Sequence, residues 1–297
     1  MQFHIVDAFA DQIFGGNPAG IVLIPDGQDF PTDETMRKTA AELRYSETAF
    51  VKRLDDKRFQ TRYFTPAAEV ELCGHATIAA FHTLRTIGSI SAGNTYLNQT
   101  CSGLLEVAVS RDTILMDMAK PQLFEAIEPG PQQEELYRIM GLNATGQGSV
   151  RGHSGVSLTP RKASTGLTDI MLPVADEDEL SKIEPDFAAL TELSRRYSVV
   201  GVHAFTCNTR DGLIHTRNFA PLYEIDEEAA TGTSNGALIY YLYDNEIVKC
   251  NTVYTIIQGE KMGRPSKISA QVILAGNVPS VRVGGPAITL AQGEIHI

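Results

Sequence analysis

The sequence contains no tryptophan, only four cysteines in 297 residues, and fewer cations than anions. The missing tryptophan carries no functional message. Cys73, Cys101, Cys207 and Cys250 form no CxxC pair and no metal-ligand spacing, so reduced thiols are expected, without a zinc module or a disulfide scaffold. Twenty-five Lys and Arg against 36 Asp and Glu give a net charge of −11 and a pI near 5.1. Nucleic acids and anionic membrane surfaces need clustered cations, so neither is expected as a partner. An anionic substrate must then be held by local groups such as helix ends. No apolar run is long enough to span a bilayer, and Met1 to Val6 opens directly as a strand without a basic lead, so neither a signal peptide nor a membrane span is predicted. The cytoplasm is the expected compartment. Also missing are GxxxxGK, GxGxxG after a strand, GxSxG and HExxH, which leaves nucleotide, serine-hydrolase and zinc-protease readings without support.

What the chain does contain is a glycine turn that opens an apolar helix. In FTPAAEVELCGHATIAAFHTL, Phe64 to Leu84, a polar loop with a proline runs into Cys73-Gly74-His75, and Ala76, Ile78, Ala79, Ala80, Phe81 and Leu84 leave almost no polar face before Arg85. A helix apolar all round must be buried. Its first N–H groups lack helical partners and carry partial positive charge, so such a start suits a carboxylate or a phosphate, and Gly74 lets the ligand approach the backbone.

The phrase recurs. Arg62, Phe64, Pro66 and Glu69 are matched 155 residues later by Arg217, Phe219, Pro221 and Glu224. Four letters in eight coincide by chance in a chain this long. More telling is that Thr231-Gly232-Thr233-Ser234-Asn235-Gly236 then leads into a second apolar helix from Ala237 to Tyr243. Two such units suggest duplicated halves. If the two helix starts face each other, one anion is gripped from both sides.

Hydrophobic content of 43% with 21% charged residues is that of a globular protein, and 297 residues suffice for two cores. Strands are predicted at Gln2 to Phe9, Ile21 to Ile24, Tyr45 to Val51, Arg58 to Phe64, Thr95 to Leu97, Leu104 to Val109 and Thr113 to Met118. A helix capped by Pro31-Thr32-Asp33 carries Met36, Ala40 and Leu43 at helical spacing and stops near Arg44. The first half ends near Lys120-Pro121. The second is predicted to hold a short helix at Glu134 to Met140, a glycine-rich passage from Gly141 to Gly155, strands at Val156 to Leu158 and Ile170 to Val174, and an amphipathic helix from Asp186 to Tyr197. Strands follow at Val199 to Cys207, Val253 to Gln258, Ser269 to Leu274, Val278 to Val283 and Ala287 to Leu290. Strands outnumber helices, and the expected class is α+β, with each half, 1–119 and 120–283, wrapping a sheet around one central helix.

Four groups could carry chemistry. Glu47, between Ser46 and Thr48 in a strand-like run, either points outward into water or turns inward, where burial raises its basicity and allows proton exchange. His75 could donate to a substrate or simply cap its helix. Cys73 could act as base or nucleophile, or be a small buried thiol. Asp226, Glu227 and Glu228 complement the dipole of the second helix, unless one reaches the ligand.

Several segments together, Gly16-Asn17-Pro18, Ser46-Glu47-Thr48-Ala49-Phe50, Phe64-Thr65-Pro66, Leu72 to Thr77, Arg217 to Pro221, Thr231-Gly232-Thr233, Gln258-Gly259 and Met262 to Ser266, resemble in order the phenazine-biosynthesis (PhzF-like) isomerase family. The resemblance implies the diaminopimelate-epimerase fold, two pseudo-symmetric halves each with a mostly antiparallel sheet around a buried helix, a site in the cleft between them, a C-terminal strand at about 284–297 returning to the first half, and a homodimer. It implies that Glu47 is the acid/base, that His75 assists together with an acid before the second turn, and that backbone near Gly74, Gly232 and Thr233 holds a substrate carboxylate, with neither metal nor organic cofactor. The family's Glu-Asp-Pro reads Glu227-Glu228-Ala229 here, which puts Glu228 in the place of the aspartate with one more methylene. The expected activity is therefore a cofactor-independent isomerase moving a proton on a small, possibly cyclic, carboxylic acid. Two alternatives stand beside it: an epimerase or dehydratase using Cys73, and a catalytically silent protein that binds small carboxylates. A two-cysteine racemase is disfavoured because the second turn offers Thr231.

Overall fold

A computed structural model describes residues 1–143, 157–276 and 278–297. Of the expected glycine-rich passage, everything beyond Asn143 lies outside them, as does Val156. The chain forms two compact units, Met1–Asp117 with Gly284–Ile297, and Met118–Val283.

The first unit contains β1 (Gln2–Ala8), β2 (Asn17–Leu23), α1 (Asp33–Leu43), β3 (Thr48–Arg53), β4 (Arg58–Phe64), β5 (Glu69–Val70), α2 (Gly74–Thr86), β6 (Asn94–Thr100), β7 (Gly103–Val109) and β8 (Ile114–Asp117). β2 runs parallel to β3, and β4 parallel to β6, whereas β1–β2, β3–β4, β6–β7 and β7–β8 are antiparallel. Parallel neighbours cannot be joined by a hairpin, and the crossovers are made by α1 and α2. Thr32 caps α1 by accepting the Thr35 N–H at 3.2 Å. At its other end Arg44 turns left-handed, with φ of 59°. That turn delays the strand expected from Tyr45, so Glu47 stands in the bend ahead of β3. Every residue of α2 from His75 to Leu84 is buried, the outcome its apolar surround demands, and Phe81 packs edge-on against Phe59 at 5.7 Å.

The second unit contains β9 (Gln122–Ala126), α3 (Pro131–Ile139), β10 (Arg161–Ser164), β11 (Thr168–Pro173), α4 (Glu177–Lys182), α5 (Phe187–Tyr197), β12 (Val202–Thr206), β13 (Ile214–Ala220), β14 (Ile225–Glu228), α6 (Gly232–Asp244), β15 (Tyr254–Gln258), β16 (Ser266–Ala275) and all but the last two residues of β17 (Val278–Gly285). Its pairings repeat the first unit's pattern: β11 parallel to β12, β12 antiparallel to β13, β13 parallel to β15. Here α4 and α5 make the first crossover and α6 the second. The segment Ile225–Glu228, read from sequence as an acidic lead into the helix, is a strand paired with β13. Its acids therefore alternate in direction, and Glu227 and Glu228 meet separate partners. The final strand, β18 (Ala287–Glu294), pairs antiparallel with β1. No helix among the described residues is long and apolar enough to cross a membrane.

Candidate active site

In the first unit the site is assembled by three chain segments that converge on the start of α2. Gly16 has φ of +62°, and a Cβ there would lie 2.1 Å from the Ala8 carbonyl oxygen, so only glycine can make the turn that delivers Asn17 to β2. The αL cap of α1 delivers Ser46 and Glu47. Extended Cys73, with φ of −139°, leads into α2, and no side chain caps that helix start.

His75 stands at the centre, 6% exposed. The Asn17 amide nitrogen approaches its Nδ1 at 3.5 Å, while its Nε2 lies 3.4 Å from Ser46 Oγ and 3.3 Å from Glu47 Oε2. Burial pushes the imidazole below its ordinary pKa, and the Glu47 carboxylate opposes that shift. A neutral ring that accepts at Nδ1 carries its hydrogen on Nε2, the nitrogen that faces Ser46 Oγ and Glu47 Oε2. The Glu47 side chain retains 21% of its exposure, so it is neither a free surface acid nor sealed in the core. Cys73 Sγ lies 3.4 Å from His75 Nδ1 and 3.8 Å from Nε2. Glu47, Cys73 and His75 thus offer three donor atoms within 4.8 Å of one another. The sulfur lies at similar distances from both ring nitrogens.

In the second unit Thr231, with φ of −123°, leads extended into α6, again without a side-chain cap. The Thr231 hydroxyl donates to Glu228 Oε2 at 2.7 Å. Gln258, fully buried, organises the turn: its Oε1 accepts from the Thr231 N–H at 3.2 Å, and its Nε2 donates to the Glu228 carbonyl at 2.7 Å and to Thr231 Oγ1 at 3.1 Å. The next residue, Gly259, has φ of +79° and passes so close to Ala229 that a Cβ would lie 2.6 Å from its carbonyl oxygen. Gly232 and Thr233 are half-buried in the first turn, and the Thr233 carbonyl accepts from Thr165 Oγ1 at 2.8 Å.

The structure therefore brings Glu47, Gly74 and His75 together in one unit, and Glu228, Gly232 and Thr233 together in the other. Reasoning from residue types missed Asn17 and Gln258 as supports, although both lie in the glycine-containing segments Gly16-Asn17-Pro18 and Gln258-Gly259. It also mispaired the repeat. Arg62 is held by Glu69 through contacts of 2.7 and 2.5 Å, but Arg217 is held by Glu227, both contacts 2.8 Å, and not by Glu224. The 3-10 turn Pro221–Tyr223 adds three residues between arginine and glutamate, and Glu224 caps it with φ of 63°.

The fold is shared with a hydroxyproline epimerase from Agrobacterium vitis, which superposes with a TM-score of 0.61 over 99% of this chain and 90% of its own, at 14% identity. The chain belongs to the phenazine biosynthesis-like family, whose sequence profile matches residues 6–293. An uncharacterized isomerase of Clostridium acetobutylicum is 32% identical over 310 residues, covering 99% of this chain and 97% of the relative. A Bacillus anthracis phenazine biosynthesis protein of the PhzF family superposes with a TM-score of 0.84 at 25% identity, over 100% of this chain and 99% of its own. The protein is an isomerase of this family.

Proposed function

We propose that this isomerase moves a proton between carbons of a small carboxylic acid, with Glu47 as the acid/base. The observation that carries the reading is the 3.3 Å approach of His75 Nε2 to Glu47 Oε2 at an uncapped helix start. A carboxylate oriented by one N–H keeps its other oxygen for a C–H bond. The N–H groups at the start of α2, at Gly74, and separately those at the start of α6, at Gly232 and Thr233, are the groups suited to hold a carboxylate. As Glu47 takes the proton, the C–H electrons enter the conjugated system of the substrate, and the helix-start N–H groups stabilise the charge that develops there. Glu47, now neutral, returns the proton to a different carbon, so no oxidant or reductant is consumed. Glu228, oriented by Thr231, is the assisting acid. The test is incubation with a panel of cyclic and open-chain carboxylic acids in D2O: one member gains a carbon-bound deuteron that survives return to H2O, and a panel with no label anywhere removes the proposal in favour of simple carboxylate binding.

A second reading is favoured by the 3.4 Å approach of Cys73 Sγ to His75 Nδ1. A thiol beside an imidazole is a candidate base in an epimerase or a dehydratase. Iodoacetamide separates the two: loss of exchange on alkylation of Cys73, prevented by substrate, supports the thiol, whereas full exchange by Cys73→Ser excludes it.

A further inference from the structure

Behind the second helix start lies a run of buried polar side chains that the proposed reaction does not use. Its far end is Asp169 on β11, 1% exposed. The Ser234 hydroxyl, in the first turn of α6, donates to Asp169 Oδ2. Ser234 Oγ accepts in turn from Asn218 Nδ2 at 3.2 Å, and the same amide nitrogen donates to His203 Nδ1 at 3.2 Å. With Nδ1 accepting, His203 carries its hydrogen on Nε2 and donates to Asn235 Oδ1 at 3.2 Å. Burial pulls this imidazole down to about 4, in keeping with a neutral ring. Asn235 Nδ2 then donates to Gln258 Oε1 at 2.7 Å, and Gln258 holds Thr231 and Glu228 as described.

Each donor in this run has one direction open to it. A carboxylate at Asp169 requires the Ser234 hydrogen, which requires an amide N–H from Asn218, and so on to the Thr231 hydroxyl pointing at Glu228. The Thr231 carbonyl, which accepts from Asn235 Nδ2 at 2.9 Å, demands the same direction from the other end. Asp169 Oδ1 has no hydrogen-bond partner among the described residues, and burial raises the carboxyl to about 6 against the pull of Ser234 and the Gly201 N–H. Across β10 it faces Ala163. The cations of that strand are engaged elsewhere, Arg161 with Asp244 and Lys162 with Glu125, while Arg217 of β13 is taken by Glu227.

We infer that Asp169 is a positioning residue for Glu228, acting through Ser234, Asn218, His203, Asn235 and Gln258. The inference rests on the proposed place of Glu228 in the site. When Asp169 gains a proton it no longer demands the Ser234 hydrogen, and the first turn of α6 loses its fixed end.

The test needs no substrate. In protein labelled with carbon-13 and nitrogen-15, the Asp169 carboxyl carbon and the amides of Thr231, Gly232 and Thr233 are followed by NMR from pH 4 to 8, together with the Glu228 carboxyl carbon. The expected result is an inflection in the three amides and in Glu228 at the midpoint of Asp169's own titration. Asp169→Asn and Ser234→Ala should abolish it. An Asp169 titration without response at Thr231 to Thr233 overturns the inference, and the wild-type spectra decide this even if a variant fails to fold. Coupling seen without any deuterium uptake by carboxylic acids would retain the positioning role and remove the isomerase reading of the site. Uptake without coupling would do the reverse.

Discussion

The starts of α2 and α6 share a backbone device and differ in what surrounds it. Each follows an extended residue, lacks a side-chain cap and begins with glycine, and each is preceded by an arginine clamped by a glutamate. At α2 the adjoining side chains are Cys73, His75 and Glu47, all able to exchange protons. At α6 they are Thr231 and Thr233, with Glu228 tethered by a hydroxyl. Behind the helices the contrast reverses. Behind α2, Tyr63, Thr77, Asn98 and Thr61 join by hydroxyl and amide contacts of 2.5 to 3.0 Å, and burial lifts the Tyr63 phenol far above its usual range. Behind α6 stand Asp169 and His203, both shifted into the mildly acidic range. The difference teaches that a repeated backbone device can carry ionisable side chains at one turn and hydroxyls at the other, with neutral support behind the first and titratable support behind the second.

The largest expected effect breaks the apparent equality of the two clamps. The Arg217 and Glu227 side chains are 9% and 15% exposed, against 21% and 26% for Arg62 and Glu69. Glu227→Ala strands a buried guanidinium and should cost about 3 kcal/mol in urea unfolding, whereas Glu69→Ala should cost about 1 kcal/mol. Equal losses would show that the two clamps share one environment. Next come the fronts of the turns. His75→Asn is expected to slow carbon-bound deuterium exchange about 100-fold, within the range of general acid–base assistance, and Glu228→Gln about 10-fold. The opposite ranking would transfer the chemistry to α6.

A smaller effect separates the two supports by pH. Asp169 titrates near 6 when folded, above its ordinary 3.8, so its contribution to stability is complete below about pH 4 and is lost as the pH rises through 6. His203 acts in the opposite sense: lowered to about 4 from 6.5, it contributes fully above pH 6.5 and loses that contribution as the pH falls through 4. Asp169→Asn removes only the first. Relative to wild type, its unfolding free energy should rise by about 2 kcal/mol between pH 4 and pH 7. Tyr63→Phe, behind α2, should shift stability by the same amount at both pH values, as read from paired denaturation curves.

Much of this was legible in the residues. The all-round apolar runs after Gly74 and Gly232 required burial, and that burial fixed both central helices and the α+β class. The glycines at 16 and 259 marked backbone that no other residue can follow, which is why their neighbours Asn17 and Gln258 support the turns. Glu47 was singled out by its type, but its place ahead of β3 depends on the left-handed cap at Arg44, a conformation that arginine does not advertise. Glu227 was hidden as one of three consecutive acids, because only the strand Ile225–Glu228 decides which of them turns toward Arg217. The run from Asp169 to Glu228 spans residues far apart in the chain and carries no periodic signal at all.

The account depends above all on Glu47 as the group that carries hydrogen. Wild-type protein and Glu47→Gln, first shown by circular dichroism to share one fold, are incubated in D2O with a carboxylic acid that the wild type labels at carbon, and uptake is followed by mass spectrometry. The glutamine variant keeps the size and the contact to His75 but cannot accept a proton, so uptake should fall at least about 1,000-fold. Undiminished labelling by Glu47→Gln would contradict the mechanism.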